Sequence, residues 1–452
     1  MKKIIVVLLV LLLGVGTVFG SETPKVIKEW GDPVREKLAG TEIFILASAH
    51  PSINAFQELT PQFEALTGIK VNWVIIEEGA MYGRILMELA AGGKSINAMM
   101  VCPEYLFGLV DLDALEPLNK YIKNAPAWFD QEDIFPAYMD MLTGLDDNVY
   151  AVPFAGESGF LMYRKDLFDE YGISVPATCD EVLETAKFFH DKDLNGDGKG
   201  DIDGISFRGR RGWGMNWPWA LMTFPFGGEL LDPKTGNSRF NSQGTIDALS
   251  FLVEAAKYAP EGIESFGHYE AWTAFSMGRA AMLIESTAAA PLMEDKTSSL
   301  VAGKVGYSAM PEGPAGAYSG VWGWGLGMTK ASNEKQKEAV WALMTYLFSR
   351  EKQMEYLANN GVVTRVSGFE YLEKEKLPYL SAIKDALAQA AKLAKKGYTV
   401  VPRSPIWMEV VELMGTYGSM AVAGQMTPEV AAEVTHEMVQ KAIDNNRLQK
   451  QK

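Results

Sequence analysis

The sequence predicts an α/β protein whose sheets consist mostly of parallel strands. Apolar β-branched runs alternate with amphipathic helical segments over residues 42–102, and a second region of the same kind begins near residue 154. Strand–helix–strand order of this type forms parallel βαβ units with helices on both faces of a sheet. The length, 452 residues, is typical of two or three such domains.

The first region contains three strands and two helices. Their predicted ranges are 42–47, 69–76 and 96–102 for the strands and 53–67 and 82–91 for the helices. Parallel sheets bind ligands just beyond the carboxyl ends of their strands. The loops at that edge are 48–52, 77–80 and 103–105.

The second region is followed by a mostly helical part of the chain. Thr178 and Glu181 form a capping-box pattern at the start of one helix, and Thr427 with Pro428 marks the start of the last one. Residues 21–40 are a polar lead-in with no assigned element. The predicted helices are 178–190, 245–258, 333–348, 381–396, 406–423 and 428–446, and the predicted strand is 280–284.

The first twenty residues have the organisation of an export signal. Lys2 and Lys3 precede an apolar run from Ile4 to Leu13, and small residues follow up to Gly20. The run is too short for a typical spanning helix, although a retained membrane anchor is the alternative. No Cys follows it, so a lipid anchor on an N-terminal Cys is excluded. We predict cleavage of residues 1–20 and a periplasmic or other extracytoplasmic protein.

Composition limits the function classes. The formal net charge of −15 opposes binding to nucleic acid, because phosphate contacts need a positive surface. Two Cys and four His leave little material for a disulfide framework or a zinc site. The nucleophile-elbow, P-loop, H-E-x-x-H and dinucleotide-binding motifs do not occur in the sequence.

An acidic loop resembles the front of a calcium-binding loop. Oxygen-bearing side chains fall at positions 1, 3, 5, 9 and 11, the required Gly is at position 6, and a main-chain carbonyl is available at position 7. Gly204 replaces the usual bidentate Glu at position 12. A structural Ca²⁺ site is therefore predicted, with an acidic surface turn as the alternative. The predicted ligands are Asp193, Asn195, Asp197, Lys199, Asp201 and Asp203.

Tryptophans are concentrated in predicted loops and at helix starts. Flat rings stack on the C–H faces of sugars, and aromatic walls with a few convergent polar groups are the general form of a ligand pocket. Core packing is the alternative for any single tryptophan, but the set predicts a pocket that contains at least three. The candidates are Trp213, Trp217, Trp219, Trp272, Trp322, Trp324 and Trp407. Nearby, Arg208, Arg210 and Arg211 are suited either to an acidic sugar or to a solvated, Asp-paired turn.

Four stretches, in order along the chain, resemble the extracellular solute-binding proteins of ABC sugar importers, the group that includes maltose-binding protein. They are A-V-P-F through M-Y-R-K-D-L-F to P-A-T over 151–178, F-S-M-G-R-A-A-M over 275–282, G-V-W-G-W-G-L-G over 320–327, and the helix over 341–349. Cys179 stands where the family usually has Trp.

The resemblance implies the two-lobed, type II-like periplasmic-binding-protein fold with a hinge that the chain crosses repeatedly. The lobes would comprise 41–152 plus 327–366 and 154–320 plus 367–449. It also implies a monomeric receptor, not an enzyme, that delivers a sugar, preferably an oligosaccharide, to a membrane permease. A uronic oligosaccharide, a non-sugar solute and a secreted polysaccharide-degrading enzyme are the alternatives.

The resemblance also implies ligand-contacting positions. Trp217, Trp219, Trp322 and Trp407 match the family's aromatic contacts, and Trp213 and Trp272 come from the aromatic set above. The remaining candidates at lining positions are Glu104, Tyr105, Glu157, Ser158, Glu285 and Arg365.

Overall fold

The computed structural model describes residues 24–194, 196–359 and 361–451. The predicted export signal over 1–20 and the predicted calcium ligand Asn195 lie outside these residues. The strands are β1 (Glu42–Ser48), β2 (Lys70–Ile76), β3 (Ala98–Val101), β4 (Ala151–Arg164), β5 (Asp203–Ser206), β6 (Ala280–Ser286), β7 (Val305–Ala309) and β8 (Val321–Met328).

Helices cover both faces of the strands. Those before β5 are α1 (Lys25–Leu38), α2 (Pro51–Thr67), α3 (Glu78–Ala90), α4 (Pro103–Asp111), α5 (Asn119–Lys123), α6 (Pro136–Asp140), α7 (Lys165–Tyr171) and α8 (Cys179–Phe189). Those after β5 are α9 (Asn216–Thr223), α10 (Gln243–Ala256), α11 (His268–Ser276), α12 (Ala290–Glu294), α13 (Glu334–Leu347), α14 (Arg350–Ala358), α15 (Val366–Lys374), α16 (Leu380–Lys395), α17 (Trp407–Val422) and α18 (Pro428–Lys450).

The strands pair in the order β2-β1-β3-β8-β4-β6-β5, and β7 also pairs with β4. In the first lobe, β1 lies parallel to both β2 and β3, as the sequence predicts. In the second lobe β5 and β6 are parallel, but β6 and β7 are both antiparallel to β4. The second sheet is therefore mixed, and the expectation of a mostly parallel sheet in each lobe is wrong there.

The antiparallel pair β4 and β8 joins the two lobes. The chain enters the second lobe along β4 and leaves it along β8, which requires opposite strand directions. Their register runs from Ala151 opposite Gly327 to Ser158 opposite Val321, with an irregularity between Pro153 and Ala155. The predicted boundaries at 152–154 and 320–327 fall on or next to these two strands, whereas the predicted boundary at 366–367 falls at the start of α15.

Helix ends follow the sequence signals closely. Gly68 ends α2 in the left-handed conformation at φ 70°, where a residue without Cβ is favoured. Thr178 and Glu181 form the predicted capping box of α8. Thr427 caps α18 by accepting from Val430 N. The lead-in over 21–40 contains an unpredicted helix, α1, which buries Ile27 and Leu38.

The buried apolar residues form two clusters, one of which extends from the first lobe into the second. Trp219 and Trp407 are among the largest fully buried side chains of the second lobe. Cys102 and Cys179 are buried free thiols, one next to β3 and the other at the start of α8. Among the described residues, no helix combines the length and the apolar character needed to cross a bilayer.

Candidate functional site

A cavity of about 140 Å³ lies where the two lobes meet at β4 and β8. From the first lobe it receives His50, Glu78 and Glu104, which follow β1, β2 and β3 respectively. These are the three loops at the carboxyl edge of the sheet that the sequence singles out, because a parallel sheet directs its strand ends to one edge. The second lobe and β8 supply the remaining walls.

The cavity walls are mostly aromatic. Trp217 lies in the first turn of α9, Tyr269 and Trp272 lie on α11, and Trp322 and Trp324 lie two residues apart on β8. Residues two apart on a strand point to the same face, so β8 presents both indoles together. The aromatic lining is Trp213, Trp217, Tyr269, Trp272, Trp322 and Trp324.

Glu104 and Trp322 form a fixed pair on one side of the cavity. Trp322 Nε1 donates to Glu104 Oε1 at 2.8 Å and to Oε2 at 2.7 Å. Burial raises the pKa of Glu104 to about 7, although its hydrogen bonds act in the opposite direction. The indole therefore orients a carboxyl group of the cavity lining at the start of α4.

A polar network from the second lobe and β4 forms another part of the lining. Arg208 Nε and Nη2 donate to Glu285 Oε2 and Oε1, both at 2.6 Å, in a bidentate pair. Ser286 Oγ donates to Glu157 Oε2. Burial raises the pKa of Glu157 to about 7. Glu285 accepts from two of the five N–H donors of Arg208, so the guanidinium of the lining already has a carboxylate partner.

Two histidines complete the polar lining. Burial lowers the pKa of His50 to about 4. Burial and the neighbouring Arg208 lower the pKa of His268 to about 3. Both rings are therefore neutral at pH 7. His50 Nδ1 accepts from Ser52 N at 3.1 Å, so His50 can offer a ligand only a donor, whereas His268 can offer one donor and one acceptor.

Several buried polar atoms of the lining have no hydrogen-bond partner among the described residues. They are Asn216 Oδ1, Trp217 Nε1 and Trp272 Nε1. Leaving a buried donor or acceptor unpaired costs about 1–3 kcal/mol. A bound molecule with several hydroxyl groups would relieve this cost, since each hydroxyl both donates and accepts.

The structure places half of the predicted ligand contacts on this cavity. They are Trp213, Trp217, Trp272, Trp322, Glu104 and Glu157. The prediction that at least three tryptophans share a pocket agrees with the geometry, because five line this one. Arg210 and Arg211 lie elsewhere, beside α17.

Trp219 and Trp407 do not line the cavity. Trp219 is fully buried, and its Nε1 donates to Thr245 O at 3.0 Å. Trp407 is 1% exposed and belongs to the same apolar centre. For both, the alternative of core packing is the one that the structure favours.

Tyr105 and Arg365 also lie outside the lining. Tyr105 stacks on Tyr82 at 4.9 Å and makes edge contacts with Trp213 and Trp324, so it supports cavity tryptophans from behind. Arg365 is buried and donates to the carbonyl oxygens of Asp130, Phe129 and Phe348. These hydrogen bonds connect separate segments of the first lobe.

Ser158 and Glu285 are the other two predicted contacts that do not reach the cavity. Ser158 follows Glu157 on β4, so its side chain points to the opposite face of the strand. Glu285 is 0% exposed and acts through Arg208.

Sequence reasoning missed several lining residues. Glu78 and His50 belong to loops that the sequence analysis names, but nothing in the sequence distinguishes them from the other residues of those loops. His268 and Tyr269 are on α11, which was not predicted. Asn216 lies within the aromatic run, between Trp213 and Trp217. Trp324 and Arg208 were named in the aromatic set and in the arginine stretch, but not among the predicted ligand contacts. The lining residues outside the predicted ligand contacts are His50, Pro51, Glu78, Arg208, Asn216, His268, Tyr269, Ala288, Trp324 and Val362.

The predicted calcium loop folds around Asp193. Its Oδ1 accepts from Gly196 N at 2.6 Å and its Oδ2 from Gly198 N at 2.7 Å. Asp201 Oδ2 accepts from Leu194 N at 2.8 Å. Carboxylate oxygens gathered in a tight turn are the kind of ligand that a hard cation prefers.

Asp203 differs from the other predicted ligands. It begins β5, and its Oδ1 lies 3.3 Å from His190 Nδ1. Together with Asp191, these two residues hold possible ligand atoms within 4.8 Å of one another. The carboxylate of Asp203 is thus directed to His190 and Asp191.

The comparisons with known proteins assign the chain to a class. The profile of the bacterial extracellular solute-binding proteins matches residues 48–354, well over half of the chain. The chain therefore belongs to this family. The expected family and its two-lobed periplasmic-binding-protein fold are thereby confirmed.

Individual relatives are similar over almost the whole chain. The mannitol-binding protein of Pseudomonas aeruginosa is 26% identical over 413 residues, which are 87% of this chain and 91% of that protein. A solute-binding protein from Agrobacterium radiobacter K84 in complex with ribitol has a TM-score of 0.79 and 25% identity, covering 90% of this chain and 99% of that one. A solute-binding protein from Agrobacterium vitis S4 with bound D-mannitol has a TM-score of 0.76 and 26% identity, with the same coverage.

Proposed function

We propose that this protein is the extracytoplasmic receptor of an ABC importer and that its ligand is a polyol or a small sugar. The observation that carries the proposal is the aromatic cavity between the lobes, in which carboxyl, amide and imidazole groups converge. Aromatic faces suit the C–H side of a polyhydroxylated chain, and the polar groups suit its hydroxyls. The relatives with bound ribitol or mannitol support the same ligand class.

The size of the cavity favours a short ligand over an oligosaccharide. An ordered water needs about 10–15 Å³ of such space, so the cavity of about 140 Å³ holds roughly ten water-sized positions. A pentitol has ten non-hydrogen atoms and a hexitol has twelve. An oligosaccharide would need the lobes to separate or the cavity to extend.

The charges of the lining disfavour a uronic ligand. Glu78, Glu104 and Glu157 line the cavity, whereas the nearest guanidinium, that of Arg208, is already paired with Glu285. A carboxylate ligand would meet three carboxyl groups, and the one guanidinium of the lining already has a carboxylate partner. These charges weigh against the uronic alternative.

The proposal also covers where the protein acts, which protein it binds and which metal ion it holds. The export-signal pattern over 1–20 supports an extracytoplasmic location. The closed two-lobed form would be recognised by the membrane permease, since only the ligand's greater affinity for that form shifts the equilibrium towards it. Ca²⁺ on the loop around Asp193 would stabilise the second lobe.

Thermal unfolding against a ligand panel tests the proposal. The panel comprises ribitol, D-mannitol and other polyols, monosaccharides, neutral and uronic oligosaccharides, and amino acids. A ligand at 100 times its Kd stabilises by about 2.7 kcal/mol, which is easily measured. We expect polyols or small sugars to raise the Tm. We also expect the protein to bind them without converting them to products. A response only to oligosaccharides or only to amino acids would contradict the proposal.

A further inference from the structure

The cavity contains more negative than positive groups. Three carboxyl groups line it, those of Glu78, Glu104 and Glu157, and a fourth, Glu285, lies directly behind Arg208. Arg208 supplies the one guanidinium of the lining. It forms a bidentate contact with Glu285, and its charge also acts on Glu157 and Glu78, so a single cation of the lining serves several carboxyl groups.

No other lining group supplies positive charge at neutral pH. The lowered pKa values of His50 and His268 leave both rings neutral there. Glu104 is held by an indole N–H and Glu157 by a hydroxyl, which are both neutral donors. The carboxylate of Glu78 forms no hydrogen bond within the described chain, and burial raises its pKa.

A second observation points to a ligand that donates hydrogen bonds. Asn216 is 7% exposed and lines the cavity, and its Oδ1 has no partner among the described residues. This carbonyl is a further acceptor. The unpaired N–H groups of Trp217 and Trp272 are donors for the oxygens of a ligand, whereas Asn216 Oδ1 and the carboxyl groups are acceptors that suit hydroxyl hydrogens and, more strongly, the three N–H donors of an ammonium group.

We propose that the site prefers a cationic member of its ligand class, an amino-substituted polyol or sugar, over the neutral parent and the corresponding acid. The inference rests on the proposed function, since the polyhydroxylated part is assigned to the same cavity. An ammonium group would pair with the carboxylates of the first-lobe loops, and charge-assisted hydrogen bonds are about twice as strong as neutral ones. The ring faces of the five tryptophans would also attract it, because an aromatic face is electronegative.

A ligand series that differs only in charge tests the inference. D-Mannitol and ribitol are each compared with the 1-amino-1-deoxy derivative and the corresponding aldonate, by calorimetric titration of the full mature protein near pH 8. Near this pH, carboxyl groups with a pKa of about 7 are ionised and a primary amine stays protonated. We expect the amine to bind at least about tenfold more tightly than the alcohol, and the aldonate more weakly than both.

The outcomes separate the two proposals. Equal or tighter binding of the alcohols would overturn the preference for a cation and leave the polyol receptor intact. Absence of binding by all six compounds would overturn the polyol proposal itself.

Neighbouring acids provide a matched pair of variants. Glu78→Gln should reduce the ratio of amine to alcohol affinity by several-fold, because it removes one carboxylate from the lining. Glu77→Gln should leave the ratio close to that of the wild type, since Glu77 caps α3 through Ala80 N, lies outside the lining, and its amide oxygen can still cap. If the two variants change the ratio equally, the assignment of Glu78 is wrong.

Discussion

At the scale of single residues, Trp217 and Trp219 show that a separation of two positions along a helix decides whether a tryptophan faces the cavity or the core. An α-helix turns by about 100° per residue, so side chains two apart point in nearly opposite directions. In α9 this directs Trp217 to the cavity and Trp219 into the core. The aromatic run therefore predicted the site, but it could not show which ring faces the ligand until the start of the helix was known.

The two tryptophans should respond differently to truncation. Trp217→Ala should weaken ligand binding by about 1–2 kcal/mol with little change in the Tm, because one stacking face is lost. Trp219→Ala should instead lower the free energy of unfolding by about 3–5 kcal/mol, because it leaves a cavity in the core. Calorimetric titration and chemical unfolding measure the two quantities. Trp128→Ala, remote from the cavity and half-buried against Trp30, is the control for affinity.

Glu104 should make the stability of the ligand-free protein depend on pH. Its pKa rises from the ordinary value of 4.5 to about 7 on folding. A raised carboxyl pKa contributes stability that is complete below about pH 4.5 and is lost as the pH rises through about 7. Relative to the wild type, Glu104→Gln should therefore gain up to about 3 kcal/mol between pH 5 and pH 8.

Chemical unfolding of both proteins at the two pH values measures this difference. Glu58→Gln, on an exposed position of α2, should follow the wild type. Parallel pH profiles of Glu104→Gln and the wild type would show that Glu104 titrates normally in the folded protein.

At the scale of elements, the sequence predicts those that carry their own local signals. Caps and amphipathic spacing located α2, α8 and α18 to within a few residues. The helix α1 was not predicted, because Pro33 and many charged residues obscure the helical spacing of its apolar residues. These are Ile27, Trp30, Val34 and Leu38. The antiparallel partners of β4 were missed for another reason, since strand pairing depends on distant segments.

The loop around Asp193 should respond to calcium. If it binds Ca²⁺, saturating calcium at 100 times its Kd should stabilise the chelator-treated protein by about 2.7 kcal/mol. Asp193→Asn should abolish this gain in thermal unfolding. Asp232→Asn is the matched control, because Asp232 also accepts from main-chain amides, those of Lys234 and Thr235, in another exposed turn. If calcium does not change the Tm of the wild type, the loop is an acidic surface turn and not a Ca²⁺ site.

At the scale of the whole molecule, the lobes touch beside the cavity as well as through the joining strands. The ring of Tyr105 from the first lobe contacts Trp213 from the second at 5.7 Å. Arg403 Nη2 donates to Asp140 O at 3.2 Å, and Lys450 Nζ lies 2.5 Å from Asp111 Oδ1. These contacts describe a closed arrangement in which the cavity is covered from both sides.

Ligand should therefore shift the population towards the closed form. We expect the radius of gyration in small-angle X-ray scattering to decrease on adding a saturating ligand found in the panel, because that ligand contacts both lobes only when they are closed. Trp217→Ala at a non-saturating concentration should show a smaller decrease. If the radius stays constant while calorimetry reports binding, closure is not coupled to the ligand.

The floor of the cavity and the joint between the lobes are the same two strands. Glu157 on β4 lies directly opposite Trp322 on β8, and both face the ligand space. A change in the geometry of β4 and β8 therefore alters the angle between the two lobes, and the displacement is largest far from these strands. An environment-sensitive dye on the outer rim of the cleft would then convert solute concentration into an optical signal, and the protein would serve as a reagentless sensor without any redesign of its binding chemistry.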